Sequence, residues 1–259
     1  MTQDEHEDAR SAADRAERMD ALGRLASGLA HDFRNLLWSI DLHAELILGR
    51  EDAPDAVRED ASMIRDAVAR GMAVSRQLMD FARAKAPTES VELREAILSV
   101  EPLLARLVGK ERQIVLDLAE VAGRARIDHG RLEQILINLV MNARDAMPDG
   151  GSVTIANTTR TLDAEVAAQL GVEPGDYQVL RVSDTGTGMP AATLERVFEP
   201  YFSTKEPGKG TGLGLATTFG VIRAAGGWIR AESEPGAGAT FRILIPTARG
   251  DAGDAIARA

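Results

Sequence analysis

The sequence predicts an α+β protein, with an N-terminal two-helix hairpin followed by an α/β sandwich. Three observations predict it. Residues 1–86 carry only Phe33, Trp38 and Phe81 as aromatics and are rich in Ala, Arg, Asp and Leu, a helix-forming composition. Beyond Pro87, short alternating apolar runs stand between helical stretches and Gly-rich turns. Near the end, two strand-like runs flank Glu234-Pro235-Gly236-Ala237-Gly238, the pattern of a hairpin. The division falls near Ala86-Pro87-Thr88. It gives a helical extension over 1–20, a hairpin over 21–86, a sandwich over 88–247 and a loose tail over 248–259.

The first helix is expected over about residues 11–49. At 100° per residue, Leu25, Leu29, Leu36, Ile40 and Ile47 fall within about 60° of Leu22 and make one apolar stripe. Gly49 and Arg50-Glu51-Asp52 end it, and Pro54 suits the first turn of the next helix. That helix, expected over about 54–85, places Val57, Ala61, Ile64, Val68, Leu78 and Phe81 on a comparable stripe. A hairpin with one stripe per helix has no further helix to cover it. Pairing with a second copy into a dimeric four-helix bundle is the simplest remedy.

In the second half, Val91 to Val100 opens as a strand and passes into a helix, and Ile114 to Leu118 alternates as a strand does. Asp128 is the expected N-cap of a helix carrying Leu132, Ile135, Leu136, Leu139 and Val140. Val153–Ala156 and Tyr177–Val182 read as strands, and Thr211–Ala225 as a helix with a Gly-rich start. Trp228–Glu232 and Thr240–Ile245 form the hairpin.

Composition excludes several function classes. Among 259 residues, 40 are acidic and 30 are Lys or Arg, a net charge of -10 that disfavours a nucleic-acid surface or an anionic membrane. Cysteine is absent, which removes disulfides and Cys-ligated zinc, and four histidines leave little for a His-rich metal site. No window offers the ~20 apolar residues of a membrane span. The acidic N-terminus lacks a signal-peptide pattern. A cytoplasmic location is the expectation.

His31 lies nine residues after Leu22 and so faces away from the stripe, where packing does not need it. His43 falls on the stripe's edge and reads as partly packed. His6 and His129 read as surface or helix-end residues. Asp32 adjoins His31, and Asn35 and Ser27 lie one turn to either side. A carboxylate can orient the imidazole so that one ring nitrogen keeps its lone pair, and the Asn35 amide could hold a water. Taken alone, His31-Asp32-Phe33-Arg34-Asn35 is equally a polar helix face.

Three blocks in the second half bear on a ligand. Asn138 and Asn142 share a helix face, and an amide oxygen is a hard ligand suited to Mg²⁺. The alternative is a helix that simply carries two asparagines. Asp184-Thr185-Gly186-Thr187-Gly188 follows a strand. Its carboxylate could accept from an adenine amino group, with Gly186 and Gly188 letting backbone approach a flat base. It reads equally as a plain turn. Gly208-Lys209-Gly210-Thr211-Gly212-Leu213-Gly214-Leu215-Ala216 opens a helix whose first N–H groups suit phosphate oxygens. It has neither a Walker A ending nor the position of a dinucleotide fingerprint. Between these blocks, Phe198-Glu199-Pro200-Tyr201-Phe202-Ser203-Thr204-Lys205 has the make-up of a lid.

Together and in this order, the blocks resemble a bacterial sensor histidine kinase of the two-component type over residues 20–247. Leu25–Leu37 looks like the H-box, Asn138–Asn142 the N-box, Asp184–Gly188 and Gly210–Gly214 the two glycine boxes, and Phe198–Phe202 the F-box. The resemblance implies a dimerisation and phosphotransfer hairpin followed by a Bergerat-type (GHKL) ATP-binding domain. It implies ATP and Mg²⁺, with Asn142 as metal ligand and Asp184 as the adenine-reading group. It also implies nucleotide contacts from Asn138, Gly186, Gly188, Lys205, Lys209, Gly210, Thr211, Gly212, Leu213, Gly214 and Thr240.

The implied reaction is attack by His31 on the γ-phosphoryl group, with Asp32 orienting the ring, then transfer to an aspartate of a response regulator receiver domain. Asp32 and Asn35 also match the family's phosphatase motif. Gyrase-type ATPases place a glutamate base where this chain has Asn138, so here water is poorly activated. Two departures stand out. Leu36 replaces a common proline, and Asp145 sits where many kinases carry a basic residue. Arg144, Lys205 and Lys209 are the candidates to neutralise the phosphates. The other classes are a GHKL-type ATPase or serine kinase, and a non-catalytic scaffold. A homodimer, a receiver domain and a separate sensor protein are the implied partners.

Overall fold

The computed structural model describes residues 36–50, 54–82, 87–120, 123–205 and 211–248. His31, Asp32, Asn35, Lys209, Gly210, the expected extension over 1–20 and the tail from 249 lie outside the described residues. The chain divides into two compact units, with a boundary between Ala84 and Lys85.

The helical unit contains α1, helical over 36–48, and α2, Asp55–Ala82. Ala44, Ala61 and Val68 are buried, and the Leu37 side chain lies against Gly71. Arg58 Nη1 donates to the Leu48 carbonyl at 3.0 Å and Arg58 also donates to the Arg50 carbonyl, closing the C-terminal end of α1. Arg65 and Asp41 pair across the helices at 3.1 Å. The packed face matches the expected stripe only in part: Ala61 and Val68 of the α2 stripe are buried, but the α1 stripe is not packed at Leu36 and Ile40. Leu36 is 63% and Ile40 46% exposed, while Val57 and Ile64 are each about two-fifths exposed. The hairpin thus has two apolar faces, one buried between its helices and one turned outward. His43 is exposed, with Nδ1 2.7 Å from the Ser39 carbonyl, rather than partly packed.

The second unit runs β1 Val91–Glu92, α3 Leu93–Val108, β2 Arg112–Leu118, β3 Arg124–Ala125, α4 His129–Ala146, β4 Gly151–Leu162, α5 Ala164–Leu170, β5 Gly175–Asp184, α6 Ala191–Leu194, α7 Gly214–Ala224, β6 Trp228–Ser233 and β7 Ala239–Pro246. Five strands form one sheet in the order β2-β4-β5-β7-β6. Only β2 and β4 are parallel. Helices α3, α4 and α7 cover one face. There Ile97, Leu104, Leu132, Ile135, Leu136 and Leu139 are buried with the strand residues Ile155, Leu180 and Ile243. A smaller cluster of Leu162, Ala167, Tyr177, Val179 and Leu244 lies under α5.

Several elements depart from the sequence expectation. β4 runs to Leu162 because Thr158, Thr159 and Thr161, polar but β-branched, stay paired with β5. α7 starts at Gly214, three residues later than expected. Asp128 occupies the N-cap position of α4 but does not cap it. Its Oδ1 accepts instead from the N–H groups of Thr88 and Glu89, both at 3.2 Å, and Oδ2 pairs with Arg131. No helix among the described residues is long and apolar enough to cross a membrane.

Candidate functional site

The site residues gather where β5 ends and α4 and α7 lie over the sheet. Asp184 is the last residue of β5 and is half-buried. Its Oδ1 accepts from the N–H of Gly186 at 2.9 Å and of Ala239 at 3.2 Å. Its Oδ2 has no protein partner among the described residues. Burial pushes this carboxyl above the ordinary carboxylate range, against the opposing pull of the two N–H groups. The result is a fixed acceptor with one free oxygen, suited to a donor of a planar ligand.

Gly186 and Gly188 are needed for a different approach from the one expected. A Cβ on Gly186 would lie 2.6 Å from the Ala146 carbonyl, and one on Gly188, at φ +66°, 1.9 Å from the Glu234 carbonyl. What these glycines admit is the protein's own backbone, with Thr187 N–H donating to the Ala146 carbonyl at 2.9 Å. The turn that carries Asp184 is thereby tied to the C-terminal end of α4.

The two asparagines of α4 differ. Asn138 commits its whole amide: Oδ1 accepts from Gln134 at 3.0 Å, and Nδ2 donates to the Gly214 carbonyl at 3.1 Å and towards Thr218 Oγ1 at 3.5 Å. It braces the start of α7 and offers no spare donor. Asn142 lies one turn on and is half-buried, and its side chain makes no hydrogen bond among the described residues. A free, partly dehydrated amide oxygen fits a hard cation that keeps most of its shell in water and phosphate.

The segment from Phe198 to Lys205, expected to form a lid, is anchored at its start. Phe198 is buried against Phe219 and Phe241, with ring centroids 5.6 and 6.4 Å apart. Tyr201 stands at φ +64°, and its N–H donates to the Gly212 carbonyl at 3.0 Å. Gly212 is also at φ +64°, and a Cβ there would lie 2.5 Å from the Tyr201 carbonyl carbon. Beyond this pinch, Arg196 sits 4.3 Å over the Phe202 ring. Lys205 Nζ reaches Asp145 Oδ2 at 2.6 Å.

Asp145 also accepts from Arg144 at 2.6 and 2.9 Å. Burial alone would raise its carboxyl, but Lys205 and Arg144 outweigh that and hold it below the usual carboxylate range. Thr211 Oγ1 accepts from the Leu213 N–H at 3.3 Å, and the N-cap residue of α7, Leu213, makes no side-chain cap hydrogen bond among the described residues. The Leu213 side chain is fully buried, so only its backbone faces the site.

Asn142, Asp184, Gly186, Lys205, Thr211, Gly212 and Gly214 thus sit on connected elements. Thr240 does not join them. It pairs with Ser183 in register, and its hydroxyl donates to Ser183 Oγ at 3.0 Å. Successive strand residues point to opposite faces, so Thr240 looks away from Asp184. The residue that serves Asp184 from β7 is Ala239, through its backbone. The alternation of Ala239 and Phe241 with Asp184 and Val182 could have revealed this. The roles of Gln134 and Thr218 in holding Asn138 carry no sequence signature.

Two family models match. "His Kinase A (phospho-acceptor) domain" covers residues 21–87, and "Histidine kinase-, DNA gyrase B-, and HSP90-like ATPase" covers residues 127–249. The sensor kinase CckA of Brucella abortus (strain 2308) is 42% identical over 235 residues, covering 89% of this chain and 25% of its own. The sensor histidine kinase ZraS of Klebsiella oxytoca is 36% identical over 239 residues, covering 91% of this chain and 48% of its own. The chain therefore spans a quarter to about half the length of these relatives. The crystal structure of full-length ShkA in complex with AMPPNP superimposes with a TM-score of 0.64, at 24% identity over 87% of this chain and 46% of that one. This last likeness concerns the fold.

Proposed function

The chain belongs to the bacterial sensor histidine kinases, which join a phospho-acceptor hairpin to a gyrase- and HSP90-like ATPase domain, and on that premise we propose that it is an ATP-dependent histidine autokinase. The observation that carries this reading is Asn138. A hydrolase of the ATPase branch needs a carboxylate base at that position to take a proton from water. Here a neutral amide stands there, fully engaged in bracing α7. The γ-phosphoryl group is kept for another acceptor.

In this reading Asp184 accepts from the adenine amino group through its free Oδ2. Asn142 holds Mg²⁺ through its amide oxygen, and the ion when bound offsets phosphate charge. The N–H groups at the start of α7 and the cations Lys205 and Arg144 meet the phosphate oxygens. His31 attacks the γ-phosphorus through one ring nitrogen while Asp32 holds the N–H of the other, and ADP leaves. The phosphoryl group then passes to an aspartate of a receiver domain. Asn35 places the water that attacks the receiver's aspartyl phosphate when the chain acts as a phosphatase, releasing inorganic phosphate. The outward apolar face of the hairpin is covered by a second copy, giving a four-helix bundle. Such a chain works in the cytoplasm, where ATP is. A separate sensor protein would supply its input.

Incubation with γ-labelled ATP and Mg²⁺ tests the proposal. An acid-labile, alkali-stable phosphoprotein is expected, and it disappears in His31→Ala. Equal labelling of His31→Ala, or phosphate release with no labelled protein, would overturn it.

A further inference from the structure

Lys205 on the lid segment and Arg144 in the last turn of α4 place their charges on the same carboxylate. Lys205 Nζ lies 2.6 Å from Asp145 Oδ2, and Arg144 Nε and Nη2 lie 2.9 and 2.6 Å from Oδ1. Each carboxylate oxygen therefore has its own cation. Asp145 follows Asn142 by three residues, so the two side chains leave the same side of α4. The next residue, Ala146, accepts from Thr187 and fixes the loop behind Asp184. One helix end thus carries a free amide, a carboxylate that gathers cations, and the carbonyl that holds the recognition loop.

A lone carboxylate beside a triphosphate would repel it. Two cations against one anion leave this cluster net positive, although the whole chain is acidic. One of the two cations belongs to the lid, across 60 residues of sequence. The Lys205 and Asp145 side chains are 34% and 28% exposed, so solvent screens the pair only in part.

We infer that Asp145 is a positioning residue: it docks the lid cation Lys205 beside Asn142 and steadies Arg144, so that both cations stand ready for the phosphates of a nucleoside triphosphate. The inference rests on the nucleotide reading above. It makes an acidic residue favourable to an acidic ligand. A carboxylate that simply shared the site with the ligand would act in the opposite direction.

Calorimetric titration of the full chain with ATP and Mg²⁺, and separately with adenosine, tests this. Asp145→Asn is expected to weaken ATP binding about fivefold, the scale of a partly exposed ion pair, and to leave adenosine binding unchanged. Lys205→Met should also weaken ATP binding, and in the double variant the two losses should combine less than additively, because part of what Asp145 does is done through Lys205. Lys205→Arg should retain affinity. Unchanged or tighter ATP binding in Asp145→Asn, or additive losses in the double variant, would overturn the inference alone. Parallel loss of adenosine binding in Asp145→Asn would overturn it in favour of a purely structural role. A wild-type chain that binds neither ligand would overturn the nucleotide reading as well.

Discussion

The Ala239 N–H in β7 donates to Asp184 Oδ1 at 3.2 Å, so the last residue of β5 is held by its sheet neighbour as well as by its own turn through Gly186. Both donors use one carboxylate oxygen. The other is left for a ligand, inside an environment that disfavours its charge.

That arrangement predicts a conflict between stability and binding at Asp184. Burial raises its folded-state value above the unfolded one, so the folded chain keeps the proton longer and ionisation costs stability as pH rises through that window. Asp184→Asn retains Oδ1 for both N–H groups and removes the charge. It should therefore raise the Tm of the nucleotide-free chain at neutral pH. It also turns the free oxygen into a donor facing the adenine amino group. ATP affinity should fall about 10- to 100-fold, the cost of losing a hydrogen bond to a charged acceptor. In the wild type, ATP affinity should decline as pH falls through the same window. Calorimetry and thermal unfolding over a pH series check both signs.

Asn138 and Gly214 predict a second effect. Asn138→Ala removes one donor from the Gly214 carbonyl, which keeps Thr218 Oγ1 at 3.0 Å, and takes from the Gln134 amide its acceptor. It should destabilise the second unit by about 1–2 kcal/mol in denaturant unfolding. ATP binding should weaken with it, because the start of α7 loses its fixed position. A variant as stable as wild type contradicts the bracing role.

The pinch at Tyr201 and Gly212 predicts an asymmetry between two substitutions. Gly212→Ala places a Cβ 2.5 Å from Tyr201 backbone at φ +64° and should cost about 2 kcal/mol, with weaker ATP binding. Tyr201→Gly suits its own φ of +64°, though the freer unfolded chain offsets the gain. Its stability should stay within about 1 kcal/mol of wild type. Equal losses in the two variants would show that backbone geometry is not what closes the lid's base.

The outward face of the hairpin predicts a dimer. Ile40 and Ile64 are 46% and 42% exposed in the single chain. Ile40→Asp or Ile64→Asp should raise the dimer dissociation constant at least tenfold in sedimentation equilibrium, since burying such a side chain contributes about 1.5–3 kcal/mol. Ala44→Asp should instead unfold the hairpin, because Ala44 is buried between its own two helices.

The sequence displayed what depends on local period and lost what depends on distant partners. Alternation located β2 and the β6–β7 hairpin, and turn residues located the loop after Asp184. Helical periodicity found the packed residues Ala61 and Val68 of α2, but on α1 it found the outward face, through Leu36 and Ile40. It could not tell that the hairpin closes instead on Leu37 and Ala44, since periodicity shows a stripe and not its occupant. Thr240 was placed by motif position, and strand alternation turns it to the other face. The Asn138–Gly214 brace spans 76 residues and the Lys205–Asp145 pair spans 60, separations at which one sequence carries no pairing information. α5 was missed because seven residues, Ala164–Leu170, are too few to show a helical period.

The most direct test is to locate the phosphoryl group after reaction with ATP and Mg²⁺, by mass spectrometry of peptides kept at alkaline pH. The account predicts modification of the His31 imidazole in the wild type, and its loss in Asn142→Ala and Asp184→Asn. A phosphoryl group on any other residue, or turnover of ATP that leaves His31 unmodified, would contradict it.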